Sequence, residues 1–148
     1  MSQTYIGSTL RTGSGTLTDA EDGGFVVVSQ TTTVTTAADG SATSGSVTLP
    51  AGSQIINIFI DQTQNEAVGG GTATAINATV GTAAAGTQYV SATDVIGGGR
   101  AALTFTAAQL AAMADIGTNT SVVMTIDPNG TIVTTQGIYR LTVVYAQK

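Results

Sequence analysis

Residues 54–61 read Gln-Ile-Ile-Asn-Ile-Phe-Ile-Asp and form the most apolar segment of this 148-residue chain. Successive side chains of a β-strand point to opposite faces of the sheet. The two faces predicted by this alternation are Ile56, Ile58 and Ile60 on one side, and Ile55, Asn57 and Phe59 on the other. A strand that is apolar on both faces is typical of the centre of a sandwich, or of a strand covered by a partner. We therefore expect a buried strand here.

The segments before and after this strand keep the same two-residue period. Turn residues separate them, as in Ala38-Asp-Gly-Ser41 and Asp127-Pro-Asn-Gly130, where glycine accepts a left-handed backbone. Threonine, which is β-branched and favours strands, occurs 28 times. The predicted strands are 25–36, 46–49, 54–61, 73–80, 102–106, 121–127 and 137–146, with a weaker one at 89–90.

One short helix interrupts this pattern. Thr106-Ala-Ala-Gln109 fits a capping box, and the alanine-rich residues that follow are good helix formers, which predicts a helix near 107–114. Strands and helices do not alternate, so a parallel α/β sheet is disfavoured. The predicted fold is all-β: a single antiparallel β-sandwich of jelly-roll type with about seven to nine strands.

Residues 1–24 differ from the sandwich domain predicted for 25–148. They are polar and glycine-rich and end in the acidic cluster Asp19, Glu21 and Asp22. They form either a loosely ordered arm or edge segment, or an arm that becomes ordered on a neighbouring subunit, because their own apolar area offsets little ordering entropy. The candidate partner contacts in the arm are Tyr5, Ile6, Leu10 and Arg11.

Composition excludes several functional classes. The chain has no Cys and no His, which removes thiolate and imidazole catalysis and most zinc sites. Four basic residues are scattered along a chain of net charge −5, so nucleic acid and anionic membrane surfaces are not expected partners. No apolar run approaches a membrane span, and the N-terminus does not read as a signal peptide. We expect a non-enzymatic protein, without a cofactor, made in a cytoplasm.

Two groups of charged residues are candidate sites. Asp19, Glu21 and Asp22 could supply oxygen ligands to Ca²⁺, but they lack the spacing of a calcium loop, and a solvated acidic loop is the simpler interpretation. Arg100 follows a glycine-rich loop, and Arg140 alternates with Tyr139 and Leu141 in the last strand. Either arginine could anchor an acidic partner by paired hydrogen bonds, or could be an ordinary solvated charge.

The phrase Ser46-Val-Thr-Leu-Pro-Ala-Gly-Ser53, the strand that follows it and the closing Gly137-Ile-Tyr-Arg-Leu-Thr-Val-Val-Tyr145 resemble small Thr/Gly-rich virion proteins of tailed bacteriophages. The narrower resemblance is to capsid decoration, or cement, proteins. It implies a protein on the outer capsid surface of the virion, often a homotrimer, that binds the major capsid protein, bridges capsid subunits and stabilises the head without catalysis. It assigns no individual binding residue.

Two other functions remain compatible with the sequence. One is a receptor- or carbohydrate-binding β module of a tail fibre or tail tip, for which Tyr5, Tyr89, Tyr139 and Tyr145 are the aromatic residues that could stack on a sugar. The other is a head–tail connector protein, which needs a ring-forming interface.

Overall fold

Two antiparallel sheets of four strands each form the protein in the computed structural model, which describes residues 26–132 and 134–147. Within this part of the chain there are eight strands and one helix. Their bounds are β1 Val26–Thr35, β2 Thr43–Leu49, β3 Ser53–Gln64, β4 Ile76–Gly81, β5 Val90–Asp94, β6 Gly99–Arg100, α1 Ala107–Ala114, β7 Thr120–Pro128 and β8 Ile138–Gln147.

The strand order is that of a jelly roll. One sheet has the order β1-β8-β3-β6 and the other β2-β7-β4-β5. The first four strands therefore alternate between the two sheets, and the last strands return to the middle of each, as two Greek keys do. The predicted all-β antiparallel sandwich with one short helix is confirmed.

The core forms where inward residues of the two sheets meet. Alternate residues of β7 and β8 face it, as their two-residue period predicts, because successive side chains of a strand leave on opposite sides. Each strand has one buried set of alternate residues: Val122, Met124 and Ile126 in β7, and Tyr139, Leu141, Val143 and Tyr145 in β8.

The strongest strand departs from simple alternation. The register between β3 and β8 shifts between Ile55 and Asn57, which marks a β-bulge. Ile55 is buried together with Ile58, which is 1% exposed, whereas Ile56 is 52% exposed. The prediction that Ile56 shares a face with Ile58 is wrong, because the extra residue in the bulge reverses the alternation of every residue on its N-terminal side.

Two further predictions need correction. Residues 102–106 form no hydrogen-bonded strand; Leu103 and Phe105 pack against the core from an irregular segment. The short strand β6 instead lies in the preceding glycine loop, where Gly99 and Arg100 pair with β3. The strand predicted over 73–80 begins only at Ile76.

The helix is confirmed as predicted, including its capping box. The Thr106 hydroxyl accepts a hydrogen bond from the Gln109 backbone N–H at 3.2 Å, and the Gln109 side chain accepts one from the Thr106 N–H at 2.9 Å. The amide of Gln109 also donates to the Thr87 carbonyl and to the Ser91 hydroxyl, which ties α1 to the segment leading into β5. In the ranges that the structure describes, no helix has the length and apolar character to cross a membrane.

Candidate docking surface

The outer face of the β1-β8-β3-β6 sheet carries the chemically distinctive side chains of the described chain. Three rows of neighbouring residues cross this face, and their positions follow from the strand register. At one end lie Val27, Ala146 and Gln54; in the middle Thr31, Thr142 and Phe59; and at the other end Thr33, Arg140, Asp61 and Arg100. The face therefore has an apolar end and a cationic end.

The cationic end is built around Asp61, and we call Asp61, Arg100, Arg140 and Phe59 the arginine patch. The Nε of Arg100 lies 2.7 Å from Oδ1 of Asp61, and its Nη2 lies 3.2 Å from Oδ2. The Nη2 of Arg140 lies 3.2 Å from the same Oδ2. Both arginines are neighbours of Asp61 in the sheet register, because β6 and β8 flank β3 on its two sides.

Hydrogen bonds within the patch favour the charged forms of Asp61 and Arg100. The hydrogen bond from Arg100, and after it the bond from Arg140, lowers the pKa of Asp61 against the opposing effect of burial. The same bond to Asp61 raises the pKa of Arg100. One carboxylate between two guanidinium groups leaves a local net charge of about +1 on a chain of net charge −5. The patch is thus a positive site on an acidic protein.

The guanidinium groups remain accessible to a partner. The side chain of Arg100 is 58% exposed and that of Arg140 is 45% exposed, whereas Asp61 is largely covered. Arg100 also stacks over the ring of Phe59, with its guanidinium carbon 4.4 Å from the ring centroid, which helps to hold its position. Donors left free by Asp61 can bind a carboxylate of another molecule in the paired geometry that arginine favours.

The apolar end opens into a groove of about 490 Å³ between α1 and the sheet, which we call the apolar groove. Three of its side chains are more than half exposed: Val27 at 58%, Ile56 at 52% and Leu110 at 54%. The groove is lined by Val27, Gln54, Ile55, Ile56, Leu110, Met113, Ala114 and Ala146. None of these residues carries a charged side chain.

Local structure explains why these apolar side chains face outward. The bulge in β3 turns Ile56 out of the core, as described above. In α1 the buried residues are Gln109 and Met113, which are one helical turn apart, so Leu110 lies off the buried stripe. The groove is not predicted from the sequence, because each of its apolar residues fits the core pattern of a strand or a helix. The apolar character of both faces of residues 54–61 was the signal for it.

The other predicted site residues divide into two groups. Arg100 and Arg140, proposed separately from the sequence, come together on Asp61, and Arg140 points away from the buried Tyr139 and Leu141 as expected. The remaining candidates lie outside the described residues: Tyr5, Ile6, Leu10, Arg11, Asp19, Glu21 and Asp22. In residues 26–132 and 134–147, no three acidic, His or Cys side chains are grouped so that they could hold a metal ion.

The tyrosines of the described chain are not available for stacking. Tyr89, Tyr139 and Tyr145 are all buried in the core. The hydroxyl of Tyr139 donates a hydrogen bond to Glu66 at 2.8 Å and accepts one from the amide of Gln62 at 2.9 Å. Burial, together with Glu66, raises the pKa of Tyr139 well above its ordinary value. The suggestion that these three rings could form a sugar-binding platform is therefore wrong.

Comparison with known proteins gives a fold relationship. Neither a protein-family model nor a curated protein matches the chain. A chain in the structure of the cyanophage Pam1 capsid asymmetric unit is similar to it, with a TM-score of 0.59 and 21% sequence identity. The similarity covers 84% of this chain and 87% of that chain. At this identity the likeness shows a shared fold.

Proposed function

We propose that this protein is a non-enzymatic structural protein of a tailed-bacteriophage virion, and that it decorates the outer surface of the capsid. The observation that carries the proposal is the likeness to a chain of a phage capsid asymmetric unit, which extends over most of both chains. Because the match covers 84% of this chain and 87% of that chain, it extends well beyond a common supersecondary motif.

In this role the protein binds the major capsid protein and bridges neighbouring capsid subunits, and it acts as a homo-oligomer, which we propose to be a trimer. A decoration protein needs a rigid body and a surface that repeats by symmetry, not an active site. The absence of His and Cys from the sequence fits this requirement. Several weak contacts made at once by one oligomer give tight attachment through effective concentration.

The arginine patch is the contact that we assign to the capsid. Its two guanidinium groups flank Asp61 on an open sheet face; Asp61 bonds to both of them, and Phe59 stacks against that of Arg100. Pre-positioned arginines bind carboxylates with little further loss of conformational freedom. The expected partner surface on the major capsid protein is therefore acidic.

The alternative functions have less support. A carbohydrate-binding module of a tail fibre or tail tip needs exposed aromatic rings, and the three tyrosines of the described chain are buried. A head–tail connector needs a ring-forming interface, and none of the residues that the structure describes gives a specific indication of one.

The test is co-sedimentation with capsids assembled from the major capsid protein of the same phage. We expect the full chain to sediment with these capsids, and the double variant Arg100→Gln/Arg140→Gln to bind at least tenfold more weakly. The matched control is Ser46→Glu/Thr48→Glu, which makes the same change in net charge at exposed positions of β2 in the other sheet. We expect it to bind like the unmodified protein.

Two results contradict the proposal in different ways. If the unmodified chain does not sediment with capsids at any protein concentration up to its solubility limit, the decoration function is wrong. If it sediments but the arginine variant binds equally well, or the β2 control loses as much affinity, the function stands and the assignment of the arginine patch is wrong.

A further inference from the structure

We propose that the apolar groove binds N-terminal residues 5–11 of a second copy of this chain. Tyr5, Ile6 and Leu10 would occupy the groove, and Arg11 would lie beside Asp115. This self-association does not depend on the proposed function, because both binding partners are copies of the same chain.

The groove is suited to an apolar segment of chain. Single exposed apolar residues are common on protein surfaces, but a group of them beside one another marks a binding surface. Here Val27, Ile56 and Leu110 line one groove, and each is more than half exposed. A volume of about 490 Å³ lies within the range of about 300–1,000 Å³ that is usual for sites that enclose small ligands, and it can hold several side chains.

The position of the N-terminal segment relative to the groove identifies the occupant. Val27 lines the groove and is the second residue of β1, so the segment before Val26 joins the sheet beside the groove itself. In its first eleven residues this segment carries Tyr5, Ile6 and Leu10, followed directly by Arg11.

The length of the segment favours the groove of another copy. Fifteen residues separate Leu10 from Val26. When extended they span up to about 50 Å. A folded chain of this size has a radius of gyration of about 15 Å. A return to the groove of the same chain needs only a turn of about four residues. The extra length would allow these residues to reach past their own folded domain to the groove of a neighbouring copy.

Charge at the end of the groove fits the same arrangement. Asp115 is exposed and directly follows Ala114, which lines the groove, at the C-terminal end of α1. Helix C-termini carry partial negative charge from their free carbonyl groups, which adds to the attraction for a cation. Arg11 directly follows the apolar residues that would fill the groove. An exchange of this kind gives a ring of copies where the rotation between neighbours closes, and a filament where it does not.

Disulfide trapping tests the proposal directly, since the chain has no cysteine of its own. A tagged chain carrying Ile6→Cys is mixed with an untagged chain carrying Leu110→Cys, and the mixture is oxidised. A disulfide between two chains of different mass can form only between copies. The matched control replaces Leu110→Cys by Ile96→Cys, because Ile96 is also an exposed apolar residue but does not line the groove.

We expect the mixed disulfide with Leu110→Cys to form at least tenfold faster than that with Ile96→Cys. Equal rates for the two positions would contradict the proposal. The double variant Ile6→Cys/Leu110→Cys shows whether the segment in the groove comes from the same chain or from another copy. Disulfide-linked oligomers would support exchange between copies. A monomer with an internal disulfide at low protein concentration would contradict it.

Light scattering provides an independent measurement without any cysteine. We expect the full chain to be oligomeric, and a chain lacking residues 2–24 to be monomeric at the same concentration. The variant Ile56→Ser/Leu110→Ser should raise the dissociation constant of the full chain at least tenfold, whereas Ile96→Ser should leave it unchanged. In the chain lacking residues 2–24, neither variant should change the thermal midpoint by much, because these side chains are at least one-third exposed. A monomeric full chain at millimolar concentration, or an oligomer unaffected by these changes, would overturn the proposal.

Discussion

The β-bulge in β3 gives a sharp prediction, because it separates two isoleucines that the sequence places on the same face. Replacing Ile58, which is 1% exposed, by Asp puts a carboxyl group into the core. Holding that group neutral at pH 7 requires its pKa to rise by about 3 units, at 1.36 kcal/mol each, or about 4 kcal/mol. Leaving it charged and unpaired costs about 3–5 kcal/mol. A domain of ordinary stability has only about 5–15 kcal/mol in total.

The same replacement at Ile56 should cost less than about 1 kcal/mol, since that side chain is 52% exposed. The free energy of unfolding is measured by urea titration at pH 7 and pH 5. The penalty at Ile58 should be smaller at pH 5, because a carboxyl group whose pKa is raised in the folded state binds a proton more readily there than in the unfolded chain.

Replacement by valine allows the losses of stability at Ile58 and Ile56 to be compared even if Ile58→Asp does not fold. Ile58→Val should cost about 0.5–1.5 kcal/mol, and Ile56→Val almost nothing. Equal losses at the two positions, or a larger loss at Ile56, would show that the alternation runs through β3 without a bulge. The apolar groove would then lose one of its three exposed side chains.

Two further predictions concern the arginine patch and a turn. Because hydrogen bonds from the arginines lower the pKa of Asp61, its stabilising effect is present above pH 4 and is lost as the pH falls through its folded-state pKa. Asp61→Asn should therefore reduce the free energy of unfolding by about 1 kcal/mol at pH 7 and by less at pH 2.5, whereas equal losses at the two pH values would contradict this account. Gly130 has a φ of +121°, and a Cβ there would lie 2.6 Å from the carbonyl carbon of Thr72. Gly130→Ala should lower the free energy of unfolding by more than about 2 kcal/mol, which corresponds to at least about 4 °C in thermal midpoint. The control is Gly52→Ala, where a Cβ meets nothing within 4 Å and the loss should be about 1 kcal/mol. Similar losses for the two variants would refute the backbone clash at Gly130.

The parts of the fold that the sequence predicts are those set by local chemistry. The alternation in β7 and β8, the capping box of α1 and the left-handed glycine in the turn at 127–130 each depend on residues a few positions apart. The bulge in β3 depends on its pairing with β8, about 90 residues later in the chain, so no local pattern reveals it.

The segment at 102–106, which was wrongly predicted to be a strand, also shows that a local pattern does not reveal strand pairing. Its alternation reflects real burial, because Leu103 and Phe105 pack on the core. However, the position beside β3 is taken by Gly99 and Arg100, which pair with Asp61 and Gln62. Apolar periodicity reports which side chains are buried; it does not report which backbone groups are paired.

Single residues of the candidate surface could be predicted from the sequence, but their positions relative to one another could not. Arg100 and Arg140 are recognisable in the sequence as possible anchors, whereas their convergence on Asp61 requires β6 and β8 to flank β3. The groove was harder to foresee, because an exposed Ile56 and an exposed Leu110 look like core residues until the bulge and the helix orientation are known.

The apolar groove and the arginine patch lie at opposite ends of one sheet face, and this separation matters for assembly. Val27 and Thr33 mark the two ends of the face on β1, six residues apart, which corresponds to about 20 Å along the strand. In the proposed arrangement, apolar contacts between copies form at one end, while the arginines at the other end remain free for an acidic surface. Salt screens the arginine contact and hardly affects the burial of apolar side chains. If both proposals hold, raising the ionic strength should release an intact oligomer from the capsid before it separates the copies from one another, which sedimentation at increasing salt would measure.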